Sequence, residues 1–573
     1  MRHSRILGFL LCTAGALGPL AAGAQTPPDP AGTGAVAGAD TEELVVDFND
    51  GASAASMGAV ARDLHLTLVP NSVMAPEDHV FRAVVPRAEA PGVLARLRAE
   101  SAVEAADENA EMHADFTPND PMLPQQWGMR RVGAPAAWDI TCGRGVTVAV
   151  VDTGVACENH GEFTRLPDLA GTRCLPGWNF VRNNAHANDD QGHGTHVAGT
   201  IAQTTNNRLG TAGVAYCATI LPVKVLDGSG RGTLANVAEG IRWAADHGAQ
   251  VINLSLGGGG RSRVMAKAVE YARAHGATVI CAAGNNGRYV ESPANEPGSV
   301  AVSAIDSGDQ IAFFSSRGPE IAVAAPGVGI LQQTICDHGR NRCEQYASWS
   351  GTSMAAPHAA GVAALLVSMG VTDPSAVEAA LRATASRPAH GGTARELYGA
   401  GIVSGANAAE TVLWHHGIVR LLALALAASL VAWRIRRKHG ELSWGWVLPS
   451  IVTGVGAFGL PALVSRAVVP GLDLAMRPLV EWDAVLLGAN VHKWLPFAHA
   501  GIAMALVGLG FGRRALRSPI GGVALGIAGY LLAAAYLGDA YAPFGGLLFK
   551  VWTLANAAVC LWVARIGIDR KAE

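Results

Sequence analysis

The stretch "VTVAVVD", residues 146–152, decides the expected fold. It is a continuous apolar run that ends in an aspartate, and such runs are typical of strands buried on both faces of a parallel sheet. Four further runs have the same character and alternate with helical patterns: "ILPVKVL" (220–226), "AQVINLSL" (249–256), "ATVICAAG" (277–284) and "SVAVSAI" (299–305). Together they predict an α/β domain in which helices cover both faces of a parallel sheet.

Polar side chains follow these runs at the positions where a parallel sheet collects catalytic groups. Asp152 ends the first run and Asn285 follows "ATVICAAG". "GHGTHVAGT" places His193 before an apolar helix, and "GTSMAAPHAAGVAALL" places Ser353 at the expected N-terminus of a long helix. A serine nucleophile needs a base and a third group that orients the base, while a helix N-terminus offers unpaired N–H groups to an oxyanion. These residues therefore indicate nucleophilic hydrolysis.

These motifs, in the order Asp152, His193, Ser353, resemble those of the subtilisin-like serine protease (subtilase) family. From residue 116 to about 410 the local sequence is similar to the thermitase-like branch of that family. The resemblance implies that Ser353 attacks a peptide carbonyl, that His193 takes and passes on the proton, and that Asp152 orients His193. Asn285 would donate to the oxyanion together with the backbone N–H of Ser353. An inactive, binding-only relative is the alternative, although no member of the triad is missing.

The substrate groove is also implied by the resemblance. Two segments would flank an extended peptide and pair with its main chain. The expected substrate-binding residues are Gly228, Ser229, Gly230, Ser255, Leu256, Gly257 and Gly284. The apolar, glycine-rich walls favour large apolar side chains at P1, the residue whose carbonyl is attacked; Glu291 would favour basic residues instead, unless it faces solvent. We expect His196 and His358 to be structural and Asn286 to shape a turn.

A structural Ca²⁺ ion is implied as well. Its expected ligands are the side chains of Asp120, Asp168 and Asn207 and the carbonyl groups of Thr204, Leu209 and Thr211. A second site, which the thermitase-like branch has in the segment 178–190, is not expected. Asn179 and Arg182 stand there in place of aspartates, and an arginine repels the ion.

Cysteine usage agrees with an exported protein. Of nine cysteines, seven lie between 142 and 343, which permits three disulfides and one free thiol. Cys281 lies in an apolar run and is expected to be the free one. The resemblance places the strands that follow Cys142 and Cys217 side by side, so it implies that these two pair. The other expected pairs are Cys157 with Cys174 and Cys336 with Cys343.

The N-terminal region has the pattern of a secretory signal over residues 1–24, followed by a Pro/Ala/Gly-rich linker over 25–42. Acylation of Cys12 is an alternative. Residues 43–115 predict a small α+β domain, which the resemblance identifies as a propeptide that assists folding and blocks the groove. We expect self-cleavage between Met112 and Thr117; a permanent accessory domain is the alternative.

The C-terminal residues 411–573 predict an all-α membrane domain. Five apolar segments are long enough to approach or reach a bilayer span: 417–433, 445–465, 495–512, 519–538 and 545–564. The first is marginal, and 478–495 predicts an amphipathic or re-entrant element. Three basic clusters follow the first, third and fifth segments: Arg434, Arg436, Arg437 and Lys438; Arg513, Arg514 and Arg517; Arg565, Arg570 and Lys571. By the positive-inside rule these clusters are cytoplasmic and the protease domain is periplasmic or extracellular.

Two functions are compatible with this organisation. The first is a membrane-tethered, self-processing serine endopeptidase whose partners are protein or peptide substrates, its own propeptide and the lipid bilayer. The second is a membrane transport or signalling protein whose outer domain only binds or trims a partner peptide. In either case we expect a multi-pass location in the cell membrane. The net charge of −3 gives no indication of a nucleic-acid partner.

Overall fold

The computed structural model describes residues 41–72, 75–109, 117–389, 394–457, 477–482, 499–510, 512–537 and 546–569. The expected signal peptide, nearly all of the linker and most of the expected self-cleavage window lie outside these residues. The chain divides into two compact units, Met1–His113 and Ala114–Glu573.

The first unit is a small α+β fold built on an antiparallel sheet. Its elements are β1 (Thr41–Phe48), α1 (Ala54–Asp63), β2 (Val69–Pro70), α2 (Ala75–Asp78), β3 (Val80–Pro86), α3 (Ala90–Leu97) and β4 (Val103–Glu108). The strand order is β2-β3-β1-β4. Along β1, Leu44, Val46 and Phe48 alternate into a core completed by α1 and α3, as a half-buried strand requires. β1 begins inside the expected linker, and β4 ends at Glu108.

The second unit contains a seven-stranded parallel sheet. Its elements up to residue 398 are α4 (Trp127–Arg131), α5 (Ala134–Trp138), β5 (Thr147–Asp152), β6 (Trp178–Asn179), α6 (His193–Ala202), β7 (Thr219–Lys224), α7 (Leu234–Asp246), β8 (Val251–Leu254), α8 (Arg263–Ala274), β9 (Thr278–Ala282), β10 (Ser299–Ile305), β11 (Ile321–Pro326), β12 (Ile330–Cys336), β13 (Asn341–Trp349), α9 (Thr352–Ser368), α10 (Pro374–Ala383) and α11 (Arg395–Tyr398). The sheet order is β11-β10-β9-β8-β5-β7-β6, and every pair is parallel.

Both faces of this sheet are buried, which confirms the expected α/β class. In β5, Val148 and Val150 point into the core that contains α6 and α9. Ala149 and Val151 point into the opposite core, which contains α7 and α8. β12 and β13 form a separate antiparallel pair. The carboxyl end of the central strand β5 therefore lies between two helical layers, with Asp152 at its last position.

The disulfide pattern is as expected. Cys142 bonds Cys217 just before β5 and β7, whose register sets Thr147 opposite Thr219. The other two bonds join Cys157 to Cys174 and Cys336 to Cys343. Cys281 is free and buried in β9.

The C-terminal part is helical: α12 (Gly405–Arg437), α13 (Val447–Gly454), α14 (His499–Gly510), α15 (Arg514–Leu537) and α16 (Gly546–Ile568). Three of the five expected spans correspond to described helices, α12, α15 and α16, that are long and apolar enough to cross a bilayer. The other two, 445–465 and 495–512, extend outside the described residues, as does most of 478–495.

The first of these helices differs from the expectation in length and in origin. α12 has 33 residues and is capped by Ser404, whose side chain accepts from Asn407 N. Its first turns pack Ala408, Ala409 and Val412 into the core of the parallel-sheet domain. The expected boundary at residue 410 thus lies inside one helix, because the last helix of the sheet domain continues directly into the apolar segment.

Candidate active site

The carboxyl end of β5 meets the first residue of α6. Asp152 is fully buried, and its Oδ1 accepts from Thr153 N at 2.7 Å and from His193 Nδ1 at 2.7 Å. Burial disfavours the His193 imidazolium, but the charge and hydrogen bond of Asp152 outweigh it, so the pKa of His193 is raised. With Nδ1–H directed at Asp152, Nε2 is left as the basic nitrogen.

A second buried carboxylate, missed by sequence reasoning, fixes this geometry. Asp189 Oδ1 accepts from Gly192 N at 2.9 Å and Thr153 Oγ1 at 2.9 Å, while Oδ2 accepts from Thr195 N at 3.0 Å and Thr195 Oγ1 at 2.6 Å. Burial raises the pKa of Asp189, against these hydrogen bonds. The carboxylate therefore ties the segment after β5 to the first turn of α6. The sequence feature that could have indicated Asp189 is the pair of aspartates shortly before an apolar helix, because acidic groups stabilise a helix N-terminus.

A buried cation was missed as well. Lys224 ends β7 with its side chain only 2% exposed, and its Nζ donates to Asp190 Oδ1 at 2.7 Å and to the carbonyl oxygens of Thr153 and Leu226. A lysine inside an apolar strand needs such partners, so its position in the run could have indicated a buried, paired charge. The pair joins β7 to the loop that precedes His193.

Ser353 is the second residue of α9. Its Oγ donates to Ser255 O at 3.0 Å, and Ser255 Oγ donates to Ser353 O at 2.8 Å. Among the described hydrogen bonds none joins Ser353 to His193. The hydroxyl instead uses a carbonyl that belongs to a predicted substrate segment.

Asn285 lies beside the N-terminus of α9. Its Oδ1 accepts from Thr352 N at 2.9 Å and from Thr352 Oγ1 at 3.0 Å. Its Nδ2 is therefore the amide atom that remains available to the cavity. Gly284 donates its N–H to the same Thr352 hydroxyl and has φ +106°, a conformation that favours glycine. Asn286 instead accepts from the backbone N–H groups of Arg288 and Tyr289, as a turn residue does.

The predicted residues share one cavity of about 950 Å³. Those that line it are His193, Ser229, Gly230, Ser255, Leu256, Gly257, Gly284, Asn285 and Ser353. Gly228 lies outside the lining, where a methyl group would be 3.2 Å from the Asp190 carboxyl carbon. The cavity brings the expected nucleophile, base and amide donor to one surface.

The two histidines expected to be structural are buried. His196 Nε2 lies 3.1 Å from the carbonyl oxygens of Ile330 and Ala347, and His358 Nδ1 lies 2.8 Å from Met354 O. Burial lowers the pKa of each to about 4. Both rings are therefore neutral at physiological pH.

The expected calcium residues also come together. Asp168 is buried; its Oδ1 accepts from Asn207 Nδ2 at 2.7 Å and its Oδ2 from Thr211 N at 3.1 Å. Asp120 is 2% exposed and accepts from Asn207 N at 3.3 Å. Thr204 N donates to the Asp168 carbonyl at 3.3 Å.

The charge of these two carboxylates is uncompensated. Burial raises the pKa of Asp168 to about 6 and also raises that of Asp120. None of the ion pairs in the described part of the chain involves either residue. Leu209 N donates to Asn207 Oδ1 at 2.8 Å, so the amide oxygen lies within the same loop. An all-oxygen donor set carrying unpaired negative charge fits a hard cation.

The chain is similar in sequence to known proteins over the residues that form the cavity. The chain is 45% identical over 280 residues to thermitase from Thermoactinomyces vulgaris, an alignment that covers 48% of this chain and 95% of that protein. The chain belongs to the subtilase family. The family matches residues 143–401, which contain β5 to β13 and the cavity. As a subtilase, the protein is a subtilisin-like serine protease, and the identity with thermitase supports the thermitase-like branch.

Other relatives extend the likeness. A thermophilic serine proteinase from Bacillus sp. (strain AK1) is 40% identical over 332 residues, with 57% of this chain and 78% of that protein covered. An extracellular protease from Xanthomonas campestris pv. campestris is 35% identical over 433 residues, with 65% of this chain and 72% of that protein covered.

Proposed function

We propose that this subtilase is a membrane-tethered, self-processing serine endopeptidase that acts on the periplasmic or extracellular side. The observation that carries the proposal is the 2.7 Å contact between His193 Nδ1 and Asp152 Oδ1, beside a cavity that Ser353 and Asn285 also line. No other arrangement among the described residues offers a serine nucleophile, a base held by a buried carboxylate and an amide donor on one surface.

The reaction starts with the Ser353 hydroxyl. A substrate strand that pairs with the segment Ser255–Gly257 would use Ser255 O as an acceptor, and so compete with the Ser353 hydroxyl for it. The released hydroxyl would then turn towards His193, since catalytic hydrogen bonds often form only with substrate bound. His193 takes the proton as Oγ attacks the carbonyl and returns it to the leaving amine, while Asp152 stabilises the imidazolium.

The negative charge that develops on the carbonyl oxygen falls between two donors. Asn285 offers Nδ2, because Thr352 holds its Oδ1 on the other side. The backbone N–H of Ser353 lies at the N-terminus of α9, where the helix leaves N–H groups unpaired. Both are in place before the reaction, so little reorganisation is needed.

Calcium would serve as a structural ion. The carboxylates of Asp120 and Asp168 would hold it, with Asn207 and the carbonyl groups of Thr204, Leu209 and Thr211 as further ligands. The ion would supply the positive charge that these buried carboxylates lack and so stabilise the loop between α6 and β7.

The tether is supported by the continuity of α12. One end of this helix packs in the protease core, and the other end carries Arg434, Arg436 and Arg437. The segment that follows this basic end contacts the ends of the two other long apolar helices: Ser443 Oγ contacts Ser518 Oγ at 2.6 Å, and Ser443 N donates to Ile568 O at 3.2 Å. Basic clusters gathered at the end opposite the protease domain support a periplasmic or extracellular active site.

Self-processing rests on the small N-terminal unit and on the family. An α+β unit of this size before a subtilase domain supports a propeptide role, and the window Met112–Thr117 contains the boundary between the two compact units. Ser353 would cut the chain there in an intramolecular reaction.

The test uses the full-length chain and its Ser353→Ala variant, expressed in bacterial membranes. A serine-directed phosphonate should label the wild type only, and mass spectrometry should find the mature N-terminus between 112 and 117 in the wild type only. In intact spheroplasts an externally added protein substrate should be cleaved. An unlabelled wild-type chain that stays full length would refute the proposal and favour a binding function.

A further inference from the structure

Glu291 lies in the wall of the catalytic cavity. It is the only carboxylate among the described residues that line this cavity. A methyl group added at Gly284 would lie 2.8 Å from Glu291 Cδ, and one added at Gly257 would lie 3.2 Å from Glu291 Oε2. The carboxylate therefore lies directly against two glycines, one in each of the two glycine-containing walls expected for the P1 pocket, and is half-buried rather than solvent-facing.

The side chain is held in this position. Glu291 N donates to Ala283 O at 3.0 Å, and Asn286 Nδ2 donates to Glu291 Oε1 at 2.8 Å. Asn286 is itself fixed by the turn, through the backbone N–H groups of Arg288 and Tyr289. Oε1 is thus occupied by an amide, and Oε2 remains as the acceptor nearer to Gly257.

The charge of this carboxylate is not paired within the described ranges. Arg231 also lines the cavity, but none of the ion pairs in these ranges joins it or another cation to Glu291. A neutral amide bond does not compensate a carboxylate, and a half-buried site screens its field less than bulk water does. The cavity wall therefore presents an unpaired negative charge to whatever side chain enters.

The entering side chain is that of P1. Ser353 Oγ contacts Ser255 O, so the residue whose carbonyl it attacks lies beside the segment Ser255–Gly257. Gly284 and Asn285 form the facing wall, and the P1 side chain must enter the gap between the two walls, where Glu291 lies. An apolar side chain there would bury the carboxylate without a partner, whereas a cation would pair with it.

We propose that Glu291 makes this protease selective for lysine or arginine at P1. The inference rests on the proposed function and reverses the apolar preference expected from the glycine-rich walls. Asn286 is a positioning residue for the carboxylate. The expected self-processing window, 112–117, contains neither lysine nor arginine, so cleavage there would depend on the high effective concentration of a linked substrate.

The experiment compares four chromogenic peptides that differ only at P1, which is lysine, arginine, phenylalanine or leucine. The full-length protein in detergent is titrated with a serine-directed phosphonate so that rates refer to competent enzyme. The wild type should favour lysine or arginine over phenylalanine in kcat/KM by at least about tenfold. Glu291→Gln should reduce that ratio by about tenfold or more, by lowering kcat/KM for basic P1 and raising it for phenylalanine.

Two further variants sharpen the test. Asn286→Ala should reduce the same ratio by a smaller factor, about twofold to fivefold, because the carboxylate remains but is less well held. Glu320→Gln removes an equal charge outside the cavity, from a residue paired with Arg261, and should change the ratio by less than about twofold.

A wild-type preference for phenylalanine or leucine would overturn the inference while leaving the proposed function intact. An equal ratio of kcat/KM for basic P1 over phenylalanine in the wild type and in Glu291→Gln would also overturn the inference and leave the proposed function intact. If no peptide is cleaved and the phosphonate does not label Ser353, the proposed function fails and the inference fails with it.

Discussion

Replacing Asn285 by alanine should impair the chemical step much more than it impairs folding or binding. In the structure Asn285 Oδ1 is held by Thr352 N at 2.9 Å and Thr352 Oγ1 at 3.0 Å, and its exposed Nδ2 faces the cavity beside Ser353. The substitution removes one of the two donors proposed for the oxyanion. It leaves the buried Asp152–His193 contact untouched.

The expected magnitude follows from the number of donors lost. Removal of one such side-chain donor in a related subtilase costs about 3 to 4 kcal/mol in the transition state, or roughly 10² to 10³ in kcat, and we expect the same range here. Thr352→Ala should have a smaller effect of the same kind. It removes one of the two bonds that orient Asn285 and leaves Gly284 N without its acceptor, which together cost about 1 to 2 kcal/mol.

The assay is steady-state hydrolysis of one peptide by each variant after phosphonate titration. For Asn285→Ala we expect kcat to fall and KM to change by less than about threefold, because a donor used only in the transition state contributes little to ground-state binding. Asn286→Ala is the matched control, since its amide oxygen is held by the turn and its amide nitrogen by Glu291, and its kcat on the same peptide should fall by less than about threefold. Equal and small effects of the two substitutions would refute the role given to Asn285.

Three further outcomes are expected. Burial alone would lower the pKa of His193 and Asp152 raises it above 6.5, so kcat/KM should rise with pH to a half-maximum above 6.5. In Asp152→Asn the pH of half-maximal kcat/KM should move down and kcat should fall by about 10⁴. An unchanged half-maximal pH would contradict the role given to Asp152. In the inactive Ser353→Ala protein, EDTA should lower the thermal midpoint most above pH 6. The folded pKa of Asp168 is raised from 3.8 to about 6, so the stability that this group contributes without metal is lost as pH rises through that range. Asp168→Asn should abolish this pH dependence, and an EDTA effect independent of pH would count against the ion being bound there. Asp189→Ala should leave several buried donors unpaired and destabilise the protein by about 2 to 4 kcal/mol in urea unfolding, and a loss below about 1 kcal/mol would argue against its bracing role.

The parts of the site that lie in contiguous motifs could be predicted from sequence. His193 and Ser353 each stand at a helix N-terminus and Asp152 at a strand end, and local patterns mark such positions. The roles of Asp189 and Lys224 were not predicted, because their partners come from other elements. Asp189 joins the segment after β5 to α6, and Lys224 joins β7 to the loop before His193. A sequence shows that a charge is present but not which distant group compensates it.

The apolar C-terminal part shows the same limit. Apolar length predicted the long helices α15 and α16, because hydropathy is a local property. It could not predict that α12 starts within the protease core, since Ala408 and Val412 are small or apolar residues whose packing partners lie far away in the chain. The expected boundary at 410 was placed where composition changes, and the helix continues across it.

The sequence by itself determined the parallel sheet, the catalytic residue types, the disulfide pairing under the family resemblance and the apolar helices, because each depends on periodicity or on a short motif. Only the tertiary structure decided what fills the cavity wall. The sequence leaves two alternatives for Glu291, a preference for basic residues at P1 or a solvent-facing side chain, and nothing local indicates that Gly257 and Gly284 leave room for its carboxylate. Its surroundings come from three separate segments brought together by the sheet, and a charge acquires its chemical meaning from those surroundings.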